Sequence, residues 1–340
     1  MNELLQNAPV LYDPKAIDEY LNSKEGRIFV FIDEELEKMY EIQYSSPAYI
    51  LYKIPSGEGS KSFEQVEQCL AFLISHEADK SDFILGIGGG VVTDITGLVS
   101  SIYKRGVPFA FMPTTLLAMV DAALGGKNGV NTAQAKNIIG TIEFPEAILL
   151  NVDYLKTLPK LEWQNGFAEI IKHGLIYSES ILDELVNGNL MDYRNDSVLI
   201  QDLILRAMTV KLEVVEKDPL EKGERVKLNF GHTLGHAFEV VENVPHGYAV
   251  MKGMYWELKF WEKTKDSKVP KESLELLSRL SEVYYPLNKK IIHKEALVEA
   301  LKQDKKRHQS NILMPYLTAI GESQVEHVPL KSLIDFIYEY

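Results

Sequence analysis

Cysteine is scarce in this chain: Cys69 is the only one among 340 residues. A single cysteine excludes an internal disulfide and fits a reducing compartment, so we expect a cytoplasmic protein. Cys69 lies in an apolar helical pattern and is expected to belong to a core. Long apolar runs are also missing, because none reaches the roughly 18 residues that a membrane helix requires. Residues 1–11 do not follow the basic-then-apolar order of a signal peptide, so we expect none.

Positive charge is in deficit. The chain has 36 Lys and Arg against 49 Asp and Glu, a formal net charge of −13. This balance argues against nucleic acid and membrane surfaces as partners. An anionic small substrate stays compatible with it, because a local group of lysines and arginines can reverse the field in one part of the molecule.

The first half of the chain alternates strand-like and helix-like segments. Apolar runs predict strands at residues 27–32, 49–54, 83–87 and 109–113. Helical spacing of apolar residues predicts helices between them, at residues 62–78 and 91–103. This alternation is typical of a parallel sheet covered by helices. We therefore expect an α/β nucleotide-binding domain over residues 1–157.

The second half changes to helices in succession, which predicts an all-α domain over residues 158–340 for metal and substrate binding. A hairpin is expected at residues 311–328 and a closing helix at 330–340. The other predicted helices cover residues 166–176, 198–216, 232–242, 249–263 and 271–283.

Glycines cluster at residues 86–90 (GIGGG), between a predicted strand and a predicted helix. Glycine lets the backbone approach a phosphate closely, and a helix N-terminus offers free N–H groups. The spacing is not that of the dinucleotide fingerprint GxGxxG, since position 91 is Val. A tight strand-to-helix turn is the alternative.

Two histidines, His232 and His236, are one helical turn apart in NFGHTLGH. Two imidazoles at this spacing project from one helix face, as in many metal sites, and His246 follows closely. An ordinary polar role is the alternative for either histidine alone. A carboxylate would complete a zinc site, and Glu169 is a candidate that the residues alone do not single out.

Lysine and asparagine are dense in the glycine-rich segment 125–137, which contains Lys127, Lys136 and Asn137. Cationic and amide donors suit phosphate or carboxylate, although a solvated loop would have the same composition. The run Asp304-Lys305-Lys306-Arg307 by itself indicates only a charged surface.

Together and in this order, these motifs resemble the 3-dehydroquinate synthase family of sugar-phosphate cyclases, over about residues 55–325. The resemblance implies conversion of 3-deoxy-D-arabino-heptulosonate 7-phosphate to 3-dehydroquinate and phosphate, a step of the shikimate pathway. The implied sequence is transient oxidation by NAD, phosphate elimination, re-reduction and an intramolecular aldol reaction. The implied cofactors are NAD and Zn²⁺ or Co²⁺, and the implied assembly is a homodimer.

The resemblance also assigns residues. The metal ligands would be Glu169, His232 and His246. Catalytic roles would fall to His236 as an acid/base group, to Lys172 facing the substrate hydroxyls, and to Lys127. NAD would contact the following residues: Asp33, Glu58, Lys61, Gly88, Gly89, Gly90, Asp94, Thr114, Thr115, Asp121, Lys136 and Thr157.

For the substrate, the resemblance implies a phosphate site of Lys127, Asn137 and one lysine of the 304–306 run, assigned to Lys306. Arg105 would reach the phosphate from a neighbouring subunit. The substrate carboxylate would meet Lys211, Arg225 and Asn229. Related cyclases whose substrates lack a carboxylate have no use for this trio, and a buried cationic pair without an anion would be costly.

Two alternatives remain at the level of sequence. Another sugar-phosphate cyclase would form a different carbocycle, and a metal-dependent NAD polyol dehydrogenase would produce NADH. Four positions also depart from the common family wording: Ala122, Ala123, Asn128 and Tyr248.

Overall fold

The computed structural model describes residues 8–40, 49–132, 136–265, 269–305 and 311–340. The chain divides into two compact units, Met1–Leu158 and Pro159–Tyr340. The strands are β1 Val10–Leu11, β2 Ile28–Asp33, β3 Tyr49–Ile54, β4 Phe83–Gly88, β5 Phe109–Pro113, β6 Lys127–Val130, β7 Ile139–Ile142, β8 Ala147–Leu149, β9 Asn311–Ala319 and β10 Glu322–Pro329. The α-helices of the first unit are α1 Pro14–Asn22, α2 Glu34–Tyr40, α3 Phe63–Ser75, α4 Gly90–Ile102 and α5 Leu116–Val120. Those of the second are α6 Lys160–Tyr177, α7 Glu179–Asn187, α8 Leu190–Asn195, α9 Ser197–Lys217, α10 His232–Glu242, α11 His246–Lys265, α12 Glu272–Tyr284, α13 Lys294–Lys305 and α14 Leu330–Glu339.

The first unit is built on a six-stranded parallel sheet in the order β1-β8-β5-β4-β2-β3. The central strand β4 is buried along its whole length, which explains its continuous apolar sequence. Cys69 of α3 is fully buried in the core on one face of this sheet, as expected. The predicted parallel α/β fold is therefore confirmed for this half of the chain.

Local signals explain where the elements begin and end. The helix predicted over residues 62–78 begins at Phe63 because Ser62 is its N-cap, with its hydroxyl accepting the Gln65 N–H. It ends at Ser75, and Glu77 shortly afterwards has a left-handed φ of 50°. The antiparallel hairpin β6–β7 was not indicated by the sequence, because its glycine-rich strands lack an apolar alternation.

The second unit is rich in helices, and its β9–β10 hairpin lies where one was expected. The helix-rich second half with one hairpin is therefore as predicted. Trp261 of α11 ties the hairpin to the helices, since its indole N–H donates to the Pro315 carbonyl at 2.7 Å. Among the helices that the structure describes, none combines the length and hydropathy that crossing a membrane would require.

Candidate active site

Three helices of the second unit bring the candidate metal ligands together. Helix α11 packs against both α6 and α10. A Cβ on Gly253 of α11 would lie 1.9 Å from the Gly231 carbonyl oxygen, and one on Gly247 would lie 2.4 Å from the Asn165 Cα. Both distances are far inside van der Waals contact, so glycine is required for these close approaches.

Glu169 of α6, His232 of α10 and His246 of α11 meet at this junction, with one ligand atom from each within 4.8 Å of the others. Glu169 is fully buried. Its Oε1 lies 3.6 Å from Nε2 of His232 and 3.4 Å from Nε2 of His246. Around a tetrahedral zinc ion with bonds of about 2.0–2.1 Å, neighbouring donors are roughly 3.3–3.5 Å apart. One carboxylate and two imidazoles with these separations fit a divalent metal ion.

The second nitrogen of each ring is engaged elsewhere. Nδ1 of His232 lies 3.2 Å from the Phe230 carbonyl oxygen, and Nδ1 of His246 lies 3.2 Å from Oε2 of Glu239. Carbonyl and carboxylate oxygens only accept, so each Nδ1 carries a proton, and each Nε2 could coordinate a metal when it carries none.

Burial and the charges within the site determine the protonation of the trio. Burial raises the pKa of Glu169, but Lys172 and then the histidines outweigh burial and hold that pKa well below its usual value. Burial, aided by Lys172, lowers the pKa of His232 well below its ordinary value. Burial also lowers the pKa of His246, but hydrogen bonds to Glu169 and Glu239 outweigh it and raise this pKa to about 9. At neutral pH the site therefore presents one carboxylate, one neutral imidazole and one imidazolium.

The two other polar residues implied for catalysis lie beside this trio. Lys172 is 1% exposed, one turn after Glu169, and its ammonium contacts the Glu169 carboxylate. His236 is exposed on α10, with its ring centroid 5.3 Å from that of His232 and 6.4 Å from that of His246. Of His232 and His236, it is His232 that forms a possible metal-binding trio with Glu169 and His246.

The three residues expected to bind a carboxylate lie on two adjoining elements. Lys211, on α9, and Arg225 are buried, at 7% and 3% exposure. Arg225 and Asn229 belong to the 3₁₀ segment Glu224–Asn229, which packs against α9. The preceding loop holds both: Nη1 of Arg225 donates to the Pro219 carbonyl at 2.9 Å, and Nδ2 of Asn229 donates to Oε1 of Glu221 at 2.6 Å.

Asp218 organises that loop. Its carboxylate accepts the backbone N–H groups of Lys222 at 2.9 Å, Gly223 at 2.7 Å and Arg225 at 3.1 Å. Burial raises the pKa of Asp218, but these three N–H groups outweigh it and lower the pKa below its ordinary value. The backbone that carries Arg225 is therefore held by a short-range carboxylate turn.

In the first unit, the candidate nucleotide residues collect where the chain changes direction across the sheet. Strands β2 and β4 are neighbours, but the chain continues from β2 to β3 on one side and from β4 to β5 on the other. Ligands of open α/β sheets bind at the carboxyl ends of strands at such a point. Asp33 ends β2 and Gly88 ends β4.

The turn after β4 requires glycine. A Cβ on Gly88 would lie 2.5 Å from Cγ2 of Val92, and one on Gly89 would lie 3.0 Å from Cγ2 of Thr115. Gly89 is the N-cap of α4 and Gly90 its first residue, so the N-cap residue has no side chain of its own to cap this N-terminus. The close backbone approach and the helix N-terminus suit a diphosphate.

Four more of the nucleotide candidates form pairs or caps nearby. Lys61 makes a largely buried ion pair with Asp94 of α4. Thr114 donates its N–H to the Gly88 carbonyl at 2.9 Å, which ties the end of β5 to the glycine turn. Thr115 is the N-cap of α5, with its hydroxyl accepting the Ala118 N–H.

The other nucleotide candidates lie in loops and at the ends of elements of the first unit. Asp33 accepts the Glu35 N–H at 3.0 Å, and Glu58 accepts from Nδ2 of Asn131 at 2.7 Å. Asp121 directly follows α5. Lys136 is exposed before β7, and Thr157 is exposed at the end of the 3₁₀ segment Val152–Thr157.

The phosphate candidates of the first unit belong to the β6–β7 hairpin and a separate turn. Lys127 is exposed at the start of β6. Asn137 has a φ of 52°, and its N–H donates to Oδ1 of Asn131 at 2.9 Å. Arg105 is exposed and has a φ of 64°, in a turn where Lys104 and Gly106 also have positive φ. Lys306 lies outside the described residues.

Four acidic residues around the second-unit site were not identified from the sequence: Asp218, Glu221, Glu239 and Glu257. Each acts through tertiary or loop hydrogen bonds that have no sequence motif of their own. Glu239 carries the only hint, because it lies seven residues after His232 and so on the same face of α10.

Comparison with known proteins identifies the family. Residues 51–165 match the model of the 3-dehydroquinate synthase N-terminal domain, and residues 166–307 match that of the C-terminal domain. The 3-dehydroquinate synthase of Sulfurisphaera tokodaii is 36% identical over 320 residues, which are 92% of this chain and 90% of that protein. The chain belongs to the 3-dehydroquinate synthase family. The resemblance inferred from the motifs is thereby confirmed.

Solved structures related to the family have the same fold. A 2-deoxy-scyllo-inosose synthase complexed with carbaglucose-6-phosphate, NAD⁺ and Co²⁺ has a TM-score of 0.85 and 21% identity, covering 97% of this chain and 96% of that one. The 2-epi-5-epi-valiolone synthase ValA of Streptomyces hygroscopicus, with NAD⁺ and Zn²⁺ bound, has a TM-score of 0.82 and 23% identity. That similarity covers 98% of this chain and 96% of ValA.

Proposed function

We infer that this chain is a 3-dehydroquinate synthase, which converts 3-deoxy-D-arabino-heptulosonate 7-phosphate to 3-dehydroquinate and phosphate. The observation that carries this proposal is the buried Glu169 carboxylate. Nε2 of His232 and Nε2 of His246 lie 3.6 and 3.4 Å from its Oε1, close to the separation of neighbouring ligands around a tetrahedral zinc ion. It occurs in a chain that matches both domains of the family along most of its length. The reaction belongs to the synthesis of aromatic amino acids.

The cofactors are NAD and a divalent metal, Zn²⁺ or Co²⁺. Bound together, they supply a reversible hydride acceptor and a Lewis acid that acidifies a substrate hydroxyl. Glu169, His232 and His246 would hold the metal. The N-terminus of α4 and the glycine turn before it would hold the NAD diphosphate, with the surrounding first-unit residues completing that site.

The chain's own residues would bind and orient the substrate and transfer protons. His236 is exposed one turn from His232 and would act as the acid/base group near the substrate. Lys172 contacts Glu169 beside the trio, where its ammonium stabilises the ionised carboxylate. It would also orient the substrate hydroxyls. The ammonium of Lys127 would stabilise the negative charge of the phosphate that is eliminated.

Substrate selection rests on two groups of cationic and amide donors. Lys127, Asn137 and Lys306 would bind the phosphate. Lys211, Arg225 and Asn229 would bind the carboxylate. An ammonium, a guanidinium and an amide are donors that suit a carboxylate, and they lie on two adjoining elements of the second unit.

The assembly and the compartment are also part of the proposal. Arg105 is exposed on the turn of residues 104–106. From the family resemblance we expect a homodimer in which it contacts the partner's substrate phosphate. Cys69 is buried and forms no disulfide, and the chain has no other cysteine. This is compatible with the reducing cytoplasm, where we expect the protein to act.

Phosphate release from the heptulosonate phosphate tests the proposal. Activity should require both NAD and metal, stop with chelator, and produce no net NADH, whereas a polyol dehydrogenase would accumulate NADH. Glucose 6-phosphate and sedoheptulose 7-phosphate, which lack the carboxylate, should be poor substrates. Equal turnover of one of them, or full activity in chelator, would refute the assignment.

A matched variant tests carboxylate recognition directly. Arg225→Lys keeps the positive charge but loses the two-pronged guanidinium, so KM for the heptulosonate phosphate should rise by about 10-fold or more. Lys222→Ala, an exposed cation of the same loop, serves as the control and should leave KM within about twofold. An unchanged KM in Arg225→Lys would place the carboxylate elsewhere.

A further inference from the structure

His246 is held on both edges of its ring by carboxylates. Its Nε2 lies 3.4 Å from Oε1 of Glu169, and its Nδ1 lies 3.2 Å from Oε2 of Glu239. Glu239 belongs to α10, whereas His246 begins α11. The orientation of this imidazole is therefore set by a side chain of a different helix.

His232 is oriented in another way. Its Nδ1 lies 3.2 Å from the carbonyl oxygen of Phe230, only two residues earlier in the chain. That acceptor is part of the backbone and cannot be removed by a side-chain change. The two histidines of the trio therefore differ in a testable respect, because only His246 depends on a side-chain acceptor.

The Glu239 contact is well placed to influence metal binding. The Glu239 side chain is 13% exposed and that of His246 is 30% exposed, so water competes only weakly for the bond. An ionised acceptor makes a stronger hydrogen bond than a neutral one, and it also increases the electron density on the ligating nitrogen. Without it, the His246 ring would lose one of the two carboxylate contacts that fix its orientation.

We propose that Glu239 is a positioning residue that fixes the His246 imidazole with Nε2 directed at the metal. The inference rests on the metal site proposed above and adds to it a residue that does not touch the metal. Loss of such an outer partner typically weakens metal binding by about 10- to 100-fold.

A purely structural role for Glu239, as a link between α10 and α11, predicts a different result, and the chain offers a matched control. Glu242 lies three residues further along α10 and also contacts α11, because Nζ of Lys252 lies 2.7 and 2.8 Å from its two carboxylate oxygens. Glu242→Ala removes a carboxylate link between the same two helices without removing a contact of His246.

Zinc affinity of the full-length protein, measured by competition with a chromophoric chelator, tests the proposal. Glu239→Ala should bind zinc about 10- to 100-fold more weakly than wild type, and Glu239→Gln, which keeps an acceptor oxygen, should lose less. Glu242→Ala should bind within about twofold of wild type, even if its melting temperature falls. Melting of the metal-free variants reports any structural contribution separately.

Each result leads to a separate conclusion. Wild-type affinity in Glu239→Ala, or an equal loss in Glu242→Ala, would refute the positioning role while the metal site stands. If His246→Ala bound zinc as tightly as wild type, the metal site itself would be refuted. A loss in Glu239→Ala that Glu239→Gln partly restores, with Glu242→Ala unaffected, supports the proposal.

Discussion

Glu257 is expected to stabilise the second unit more than any exposed carboxylate does. It is fully buried on α11, and its two oxygens accept the N–H of Gly231 at 2.8 Å and that of Leu234 at 3.1 Å. These groups lie at the start of α10, whose N-cap is Gly231 with a φ of 79° and no side chain to cap the helix. Glu257 therefore supplies the cap from a neighbouring helix, with its negative charge at the positive end of the α10 dipole.

The expected cost of Glu257→Ala follows from these contacts. Each buried N–H that loses its acceptor costs about 1–3 kcal/mol. The lost interaction with the helix dipole adds about 0.5–2 kcal/mol, and the two effects overlap. We expect a loss of about 3–5 kcal/mol in the free energy of unfolding. Glu257→Gln keeps one acceptor oxygen and should lose about half as much.

Tryptophan fluorescence suits this measurement, because the three tryptophans, Trp163, Trp256 and Trp261, all belong to the second unit. Urea unfolding should be followed on metal-free protein, since bound metal would itself add stability. Glu216→Ala, an exposed glutamate of α9, is the control and should stay within about 0.5 kcal/mol of wild type. If the free energy of unfolding of Glu257→Ala lay within about 1 kcal/mol of the wild-type value, Glu257 would not be the cap of α10 in solution.

Three further predictions concern the loop, the first unit and the metal. Asp218→Ala should release the turn that holds Arg225 and raise KM for the heptulosonate phosphate by about 10-fold or more, as steady-state phosphate release would measure; an unchanged KM would show that Arg225 is positioned without this turn. Asp82 is buried and its burial raises its pKa, but Arg27 and two backbone N–H groups outweigh this and lower the pKa. Because the folded pKa lies below the unfolded one, ionised Asp82 stabilises the protein above about pH 4, and this stabilisation is lost as the pH falls through the folded pKa. The difference in free energy of unfolding between wild type and Asp82→Asn should therefore narrow when unfolding is measured at decreasing pH. A constant difference would contradict the assignment. The raised pKa of His246, about 9, means that metal must displace its proton at neutral pH. Zinc affinity should accordingly rise about tenfold per pH unit between about pH 7 and 8 and level off near 9, whereas a flat profile would show that His246 is neutral without metal.

Sequence patterns predicted the fold in its regular parts. The strands at residues 49–54 and 109–113 and the helix at 232–242 coincide with the structure, because long apolar runs and strong helical spacing leave little choice of conformation. The β6–β7 hairpin was missed, because glycine, asparagine and lysine carry little strand preference. The start of α6 was placed six residues late, at residue 166 instead of Lys160, since its first turn is largely exposed and polar.

The candidate site was less accessible to sequence reasoning. Helical spacing placed His232 and His236 on one face of a helix but did not distinguish their roles, and the residues alone did not select Glu169. Family resemblance supplied a choice, and the geometry that supports it depends on α6, α10 and α11 packing at glycine contacts. Glu257, which caps α10, has no local sequence pattern, and Glu239 has only its position on the same helix face as His232.

The sequence by itself therefore determined the parallel α/β half, the helix-rich half, and a helix with two histidines one turn apart. It did so because apolar periodicity and glycine placement act over a few neighbouring residues. Family resemblance assigned His232 to the group with Glu169 and His246, and helix packing brings these three side chains together. Tertiary structure alone decided which carboxylates contact the histidine ring and the start of α10. Those relations join residues up to 77 positions apart, from Glu169 to His246, and only packing of the helices brings their donor atoms within 4.8 Å.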